Sequence, residues 1–168
     1  GIDNTGKERP AVCCLSSLNI EKYDEWKDDT IFIEDVMKFL DNVMSDFINR
    51  APDSFSNAKY SAMRERSVGL GVMGLHSFFQ QKNIPFGSVM SKVWNQKIFK
   101  HIQEKADQAS VKLAEERGSC PDAEEYGIKE RFSNKTAIAP TASISVICGG
   151  ASPGIEPIAA NSYTHKTL

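Results

Sequence analysis

Two stretches of this sequence carry an apolar period of three to four residues over many turns, and they set most of what the chain can become. In the first, Ile33, Val36, Met37, Leu40, Val43, Met44, Phe47 and Ile48 recur at steps of one, three and four. That spacing predicts an amphipathic helix of about 18 residues, residues 31–50, capped near Thr30 and stopped by Ala51-Pro52. In the second, Trp94, Ile98, Ile102, Ala106, Ala109 and Leu113 form the inner stripe of a longer helix, about 89–117. Ser88 can cap its start, Gly118 stands where a C′ glycine belongs, and Pro121 prevents continuation.

The remaining apolar segments are too short for helices. Ala11-Val12-Cys13-Cys14-Leu15 reads as a strand buried on both faces. Residues 16–30 are polar and acidic and read as a connection, and residues 52–57 as a loop. Residues 67–74 are apolar and glycine-rich, a strand or tight turn entering a short helix to Gln81. A turn follows at 83–87. Residues 122–135 are polar and mixed, 136–139 are a short strand candidate, and 140–157 are rich in Ser, Gly, Ala and Pro. The expected fold class is therefore α/β, mostly helical, with two long helices and a few short strands. A length of 168 residues suits a single domain spanning 1–168.

Composition removes whole classes of function. Hydrophobic residues at 40% and charged residues at 25% exclude a disordered or collagen-like chain. No apolar run reaches the ~18–20 residues of a membrane span. The first residues show no basic and apolar leader, so no signal peptide is expected. The chain does not open on Met, which suggests a piece of something longer. Twenty Lys and Arg against 22 Asp and Glu leave a net charge of −2, which argues against a dedicated DNA-binding domain and a polybasic membrane surface. The four cysteines, Cys13, Cys14, Cys120 and Cys148, include no C-x-x-C pair and no His at zinc-ligand spacing. No metal site and no disulfide framework are expected, and reduced thiols imply a cytoplasmic location.

Four features could carry chemistry. Gly69-x-Gly71-x-x-Gly74 matches the dinucleotide fingerprint in letters, but a long helix precedes it and positions 87–97 carry no acidic residue. The glycines fit better as close packing between a strand and a helix. Pro140-Thr141-Ala142-Ser143-Ile144-Ser145 follows a strand candidate, and its hydroxyls and free backbone amides could form an anion cradle at a helix start. From spacing alone, the plainer reading is a Ser/Thr-capped helix without a ligand. Residues 148–157 hold three glycines and two prolines, so that stretch must turn tightly or approach a ligand closely. Glu156 within it reads as a solvated loop acid. Cys13 and Cys14 are neighbours on an expected strand and point to opposite faces, so they cannot easily bond to each other. On composition they are two small buried apolar residues. His76 reads as structural, His101 as a surface residue of the long helix, and His165 carries no reading.

Several of these segments together resemble the large (alpha) subunit of ribonucleotide reductase. Residues 11–20, Ala-Val-Cys-Cys-Leu-Ser-Ser-Leu-Asn-Ile, resemble its Cys-x-Leu-x-x-x-Asn segment. Arg66-Ser67-Val68-Gly69-Leu70-Gly71-Val72 is similar to its Arg-x-x-Gly-Ile/Leu-Gly-Val segment. Glu116 to Pro121 resembles its Gln-Gly-Ala-Cys-Pro turn. Residues 139–145 and Gly154-Ile155-Glu156-Pro157 look like its substrate-phosphate loop and the signature after it. The order and rough spacing of the segments match across nearly the whole chain.

The resemblance implies a piece of a ten-stranded α/β barrel that reduces ribonucleotides to deoxyribonucleotides by thiyl-radical chemistry. It makes Cys13 one member of the redox cysteine pair, with Cys14 standing where the family has Thr or Asn. It makes Pro140, Thr141, Ala142, Ser143, Ile144 and Ser145 the segment that holds the substrate's phosphates, closer to a Pro-Thr-Gly-Thr-Ile-Ser variant than to Ser-Glu-Thr-Ser-Ser. The stretch from 140 to 154 is one residue longer than in either. The family's Asn-x-Cys-x-Glu finger loop and second redox cysteine would lie before residue 1, and its radical-path tyrosines after Leu168. The implied chain is a central-to-C-terminal slice, inactive alone and carrying no cofactor itself. The implied requirements are a radical source and a thioredoxin-type reductant. The implied partners are the rest of the alpha subunit, a radical-generating small subunit and a ribonucleotide, with neither membrane nor DNA. Without the resemblance, the segment at 140–145 suits a non-catalytic phosphate- or nucleotide-binding helical module. Three structural expectations follow. Thr141, Ser143 and the amides of 142–145 should converge at a helix start. Cys13 should face the side of that loop, and Cys14 should pack under the helices. Residues 11–15 and 69–74 should be exposed, favouring a homodimer.

Overall fold

The computed structural model describes residues 1–158. His165 therefore lies outside the described residues. The core is a short parallel ladder with two long helices packed together beside it. Strand β1, Leu15–Asn19, is followed by a 3₁₀ turn, Ile20–Lys22, and the single-turn helix α1, Tyr23–Trp26. Helix α2 runs Phe32–Arg50 and α3 Ser56–Glu65. Strand β2, Gly69–Met73, leads into α4, Leu75–Gln81. Helix α5 is Val89–Arg117, α6 is Pro121–Glu124 and α7 is Ala142–Ile147.

Both long helices form where the apolar period places them. Ile33, Met37, Leu40 and Met44 of α2 and Ile98, Ile102, Ala106, Ala109 and Leu113 of α5 enter one buried cluster. Ala106 and Ala109 are small and almost fully enclosed in that cluster. The Ser88 hydroxyl accepts from the Ser91 amide at 3.1 Å, which caps α5, and Gly118 ends it at a φ of 87°. Ile31, rather than Thr30, is the residue before α2, and the Asp29 carboxylate accepts from its amide.

The first strand corrects the sequence reading. It begins at Leu15, four residues later than expected, and is not buried on both faces: Leu18 is buried while Leu15 is 49% exposed. Its register is fixed by its partner, with Leu15 opposite Gly69 and Asn19 opposite Met73 in parallel. Strand β2, by contrast, is buried at all five positions, although exposure was expected there. Residues 134–137 cover its far edge. The amides of Val68 and Leu70 donate to the carbonyls of Asn134 and Lys135, and the Ala137 amide returns a bond to Leu70. Thr136 bridges Leu70 in parallel, so the candidate strand at 136–139 becomes the ladder's third, abbreviated rung. Gly71 is required for this approach, because a Cβ there would stand 2.1 Å from the Ala137 carbonyl oxygen.

Three short helices had no sequence signal. Helix α3 buries only Ser61 and Ala62, so it shows no apolar stripe. Helices α1 and α6 are single turns within polar segments. His101 is half-buried rather than on the surface; its Nδ1 lies 3.1 Å from the Tyr23 hydroxyl, and burial pushes its pKa down. His76 is structural as expected: its Nδ1 accepts from the Ile158 amide at 2.9 Å.

Candidate functional site

Three parallel segments end on the same side of the ladder: β1 at Asn19, β2 at Met73, and 136–139 at Pro140. Ligands of open parallel sheets bind beyond such carboxyl ends. Gly74 closes β2 with a φ of 78°, and a Cβ there would stand 2.6 Å from the Asn19 Oδ1, so both backbone shape and space demand glycine. The Asn19 side chain accepts from the Glu21 amide and fixes the turn after β1.

Beyond the third segment, Thr141 adopts a left-handed φ of 51° and α7 starts at Ala142. The sequence expected the hydroxyls to converge there, and the structure separates them. Thr141 is buried, and its Oγ1 accepts from the Gly154 amide at 2.7 Å. The buried Ser145 hydroxyl donates to the Ala142 carbonyl at 3.1 Å, and the Ser145 amide donates to the Thr141 carbonyl. Pro140, Ala142, Ser143 and Ile144 are exposed. Ser143 and the first amides of α7, which have no acceptor within the helix, are left at the exposed start of that helix.

Cys13 and Cys14 precede β1. Cys14 is buried, and its Sγ lies 3.7 Å from the Leu40 carbonyl under α2. Burial pushes its thiol pKa up, with Arg66 lowering it and Asp41 raising it by charge. Cys13 is exposed and lines a groove of about 370 Å³ with Val12, Leu15, Phe39, Val43 and Phe47. No residue of 140–145 lines that groove. The expected placement of Cys13 on the side of the 140–145 loop is not found: the cysteine sits before the amino end of the ladder and the loop beyond its carboxyl end, because the strand starts at Leu15, after the cysteine. Among the described residues, no group of three or more His, Cys, Asp or Glu side chains is arranged to hold a metal ion.

Behind Cys14 lies a cluster that the sequence analysis missed. Asp41 has no exposed surface, and Arg66, Arg117 and Arg131 all reach its carboxylate at 2.5–2.9 Å. Burial alone would push its carboxyl pKa up; hydrogen bonds from Arg131 and Arg117 and the charge of Arg66 outweigh that and hold it below the usual range. Arg66 sits at a left-handed φ of 44° and also donates to the Asp41 carbonyl and the Ser45 hydroxyl. These contacts bring together residues up to 90 apart in sequence, and no local pattern announces them.

Comparison with known proteins gives one family. A family model described as the ribonucleotide reductase barrel domain matches residues 2–134 and 122–168. The chain is 51% identical over 164 residues to the ribonucleoside-diphosphate reductase large subunit of Invertebrate iridescent virus 6, covering 98% of this chain and 17% of that protein. It is 42% identical over 164 residues to the protein of the same name from Invertebrate iridescent virus 3, covering 98% of this chain and 26% of that one. Among solved structures, the class Id ribonucleotide reductase alpha subunit of Actinobacillus ureae superposes with a TM-score of 0.86 at 41% identity. That match covers 92% of this chain and 29% of the other. The chain thus spans less than a third of the length of each of these relatives.

Proposed function

The chain belongs to the ribonucleotide reductase large-subunit family and is a piece of its barrel, and on that premise we propose that residues 1–168 form one unit of the catalytic barrel, supplying Cys13 as a redox cysteine and residues 140–145 as the substrate-phosphate loop. The relatives are named for ribonucleoside diphosphates, and that is the substrate class we assign. The observation that carries the reading is the start of α7. Exposed residues, whose first amides have no acceptor within the helix, open α7 directly after the third parallel segment, at the carboxyl end of the ladder, where backbone N–H groups and the helix dipole favour a phosphate.

In this reading Cys13 and a second cysteine, outside this chain, give up two electrons and two protons and close to a disulfide as the ribose is reduced. A thioredoxin-type dithiol then reopens the disulfide. Exposure of Cys13 suits both exchanges, and the buried Cys14 suits neither. Reduction further needs the finger-loop cysteine and a radical-generating small subunit, so the 168 residues alone are inactive. Four free thiols suit the cytoplasm, and no helix among the described residues is long and apolar enough to cross a membrane. Alone, the chain self-associates through the apolar face of α2 and the edge of β1 that has no partner strand among the described residues.

Two experiments test the reading. Titration with inorganic pyrophosphate, followed by amide NMR, should shift Ala142, Ser143 and Ile144; shifts absent there refute the phosphate loop. In a complete large subunit carrying this segment, Cys13→Ser should abolish multiple turnover. Full steady-state activity of that variant refutes the redox role.

A further inference from the structure

Helix α4 begins without a cap of its own. Its Ncap residue is Gly74, which has no side chain to accept from the first-turn amides. The missing acceptor comes from 75 residues away: the Ser152 hydroxyl accepts from the Ser77 amide at 3.2 Å, and the Ser77 hydroxyl accepts from the Ser152 amide at 2.9 Å. Ser77 is the third residue of α4, so this pair reproduces a capping box, in which the cap hydroxyl bonds the N3 amide and the N3 side chain bonds the cap amide. Here the two halves lie on different parts of the chain. A further bond, from the Gly74 amide to the Ser152 carbonyl at 2.7 Å, fastens the same junction. Ser152 is 1% exposed, so water cannot replace these partners.

The capping segment also carries the loop. Two residues past Ser152, the Gly154 amide donates to the Thr141 hydroxyl, and Thr141 is the left-handed residue from which α7 starts. Helix α7 has six residues, too few to hold its own direction in water. Its orientation rests on tertiary bonds, and those run from Thr141 through Gly154 and Ser152 to the first turn of α4 and so to β2.

We propose that Ser77 is a positioning residue for the substrate-phosphate loop: by completing a capping box with Ser152 it holds residues 141–154 to the carboxyl end of β2, and sets where the amides of α7 point. This rests on the reading of 140–145 as that loop. Ser77 does not touch the phosphate; it acts through Ser152.

The test compares Ser77→Ala, Ser77→Thr and, as a core control of modest destabilisation, Ile98→Val. Amide hydrogen exchange and pyrophosphate titration are measured on each 168-residue chain. Ser77→Ala should speed exchange at Ser152 and Gly154 about 10-fold, as expected for one lost hydrogen bond to a buried amide. It should weaken pyrophosphate binding by a similar factor. Ser77→Thr, which keeps the hydroxyl, should restore both, and Ile98→Val should change neither. If the wild-type chain binds pyrophosphate and Ser77→Ala binds it equally well, the positioning role is overturned and the loop reading stands. If Ile98→Val weakens binding as much as Ser77→Ala, the effect is general destabilisation and the proposal falls. If the wild-type chain shows no shift at 142–144, the loop reading itself fails and takes this inference with it.

Discussion

Asp41 is the residue on which the buried polar structure turns. Three arginines converge on one fully buried carboxylate, so removing its charge leaves the enclosed Arg66 and Arg131 guanidinium groups without a counter-charge. Asp41→Asn should cost about 3–5 kcal/mol, read from urea unfolding; a loss within experimental error would show that solvent rescues the arginines. The sign of the pH effect follows from the lowered pKa. The folded carboxyl titrates below the unfolded value of about 3.9, so its stabilisation is complete above that value and is lost as pH falls through the folded one. Wild-type stability should therefore drop below about pH 4 more steeply than that of Asp41→Asn; parallel curves would contradict the assignment. The cysteines offer a second check. Burial pushes the thiols of Cys14 and Cys120 up, and both side chains are enclosed. On the chain diluted to its monomer, brief iodoacetamide treatment at neutral pH, read by mass spectrometry, should label Cys13 and Cys148 first. Equal labelling of Cys14 would place the wrong thiol at the surface. The sequence made Cys13 and Cys14 diverge because neighbours in extended chain face opposite ways, and that holds even though both lie before the strand.

Among the elements, β2 is the least tolerant of change. All five residues are buried between β1 and residues 134–137, and the Ala137 carbonyl lies where a side chain at 71 would go. The obstacle is backbone rather than a movable side-chain tip. Gly71→Ala should thus cost about 3 kcal/mol, or about 6–12 °C in Tm for a chain of this size; a calorimetric Tm within 2 °C of wild type would mean the third segment moves freely. The sequence read these glycines as close packing, and the structure supplies the packed partner. Helix legibility divides in the same way. Helices α2 and α5 bury large side chains at regular steps, so their period is written in the sequence. Helix α3 buries Ser61 and Ala62, and its contribution is the geometry it gives Arg64 and Arg66; neither leaves an apolar period.

For the molecule as a whole, the apolar surface left open lies on one flank. Within the described residues β1 pairs only with β2, so its other edge is free. Beside it stand Leu15 at 49%, Val43 at 42% and Phe39 at 62% exposure. An unpaired strand edge next to exposed aromatic and aliphatic side chains favours association. The 168-residue chain at micromolar concentration should sediment as a two-fold dimer, and Phe39→Glu should return it to monomer. A wild-type monomer would show that this flank is stable in water. The sequence by itself determined the two long helices, the close-packed glycines of residues 69–74 and the segments that mark the family, because each rests on neighbours in the chain: a repeating apolar step, a glycine where backbone must approach, a short motif. Tertiary structure alone decided where β1 begins, why Asp41 is charged in the core, and that Thr141 turns inward to Gly154. It alone supplied α4 with a cap from Ser152. Each of these is a hydrogen bond or ion pair between residues 13 to 90 positions apart, and such pairings depend on which surfaces the packed helices and strands bring face to face.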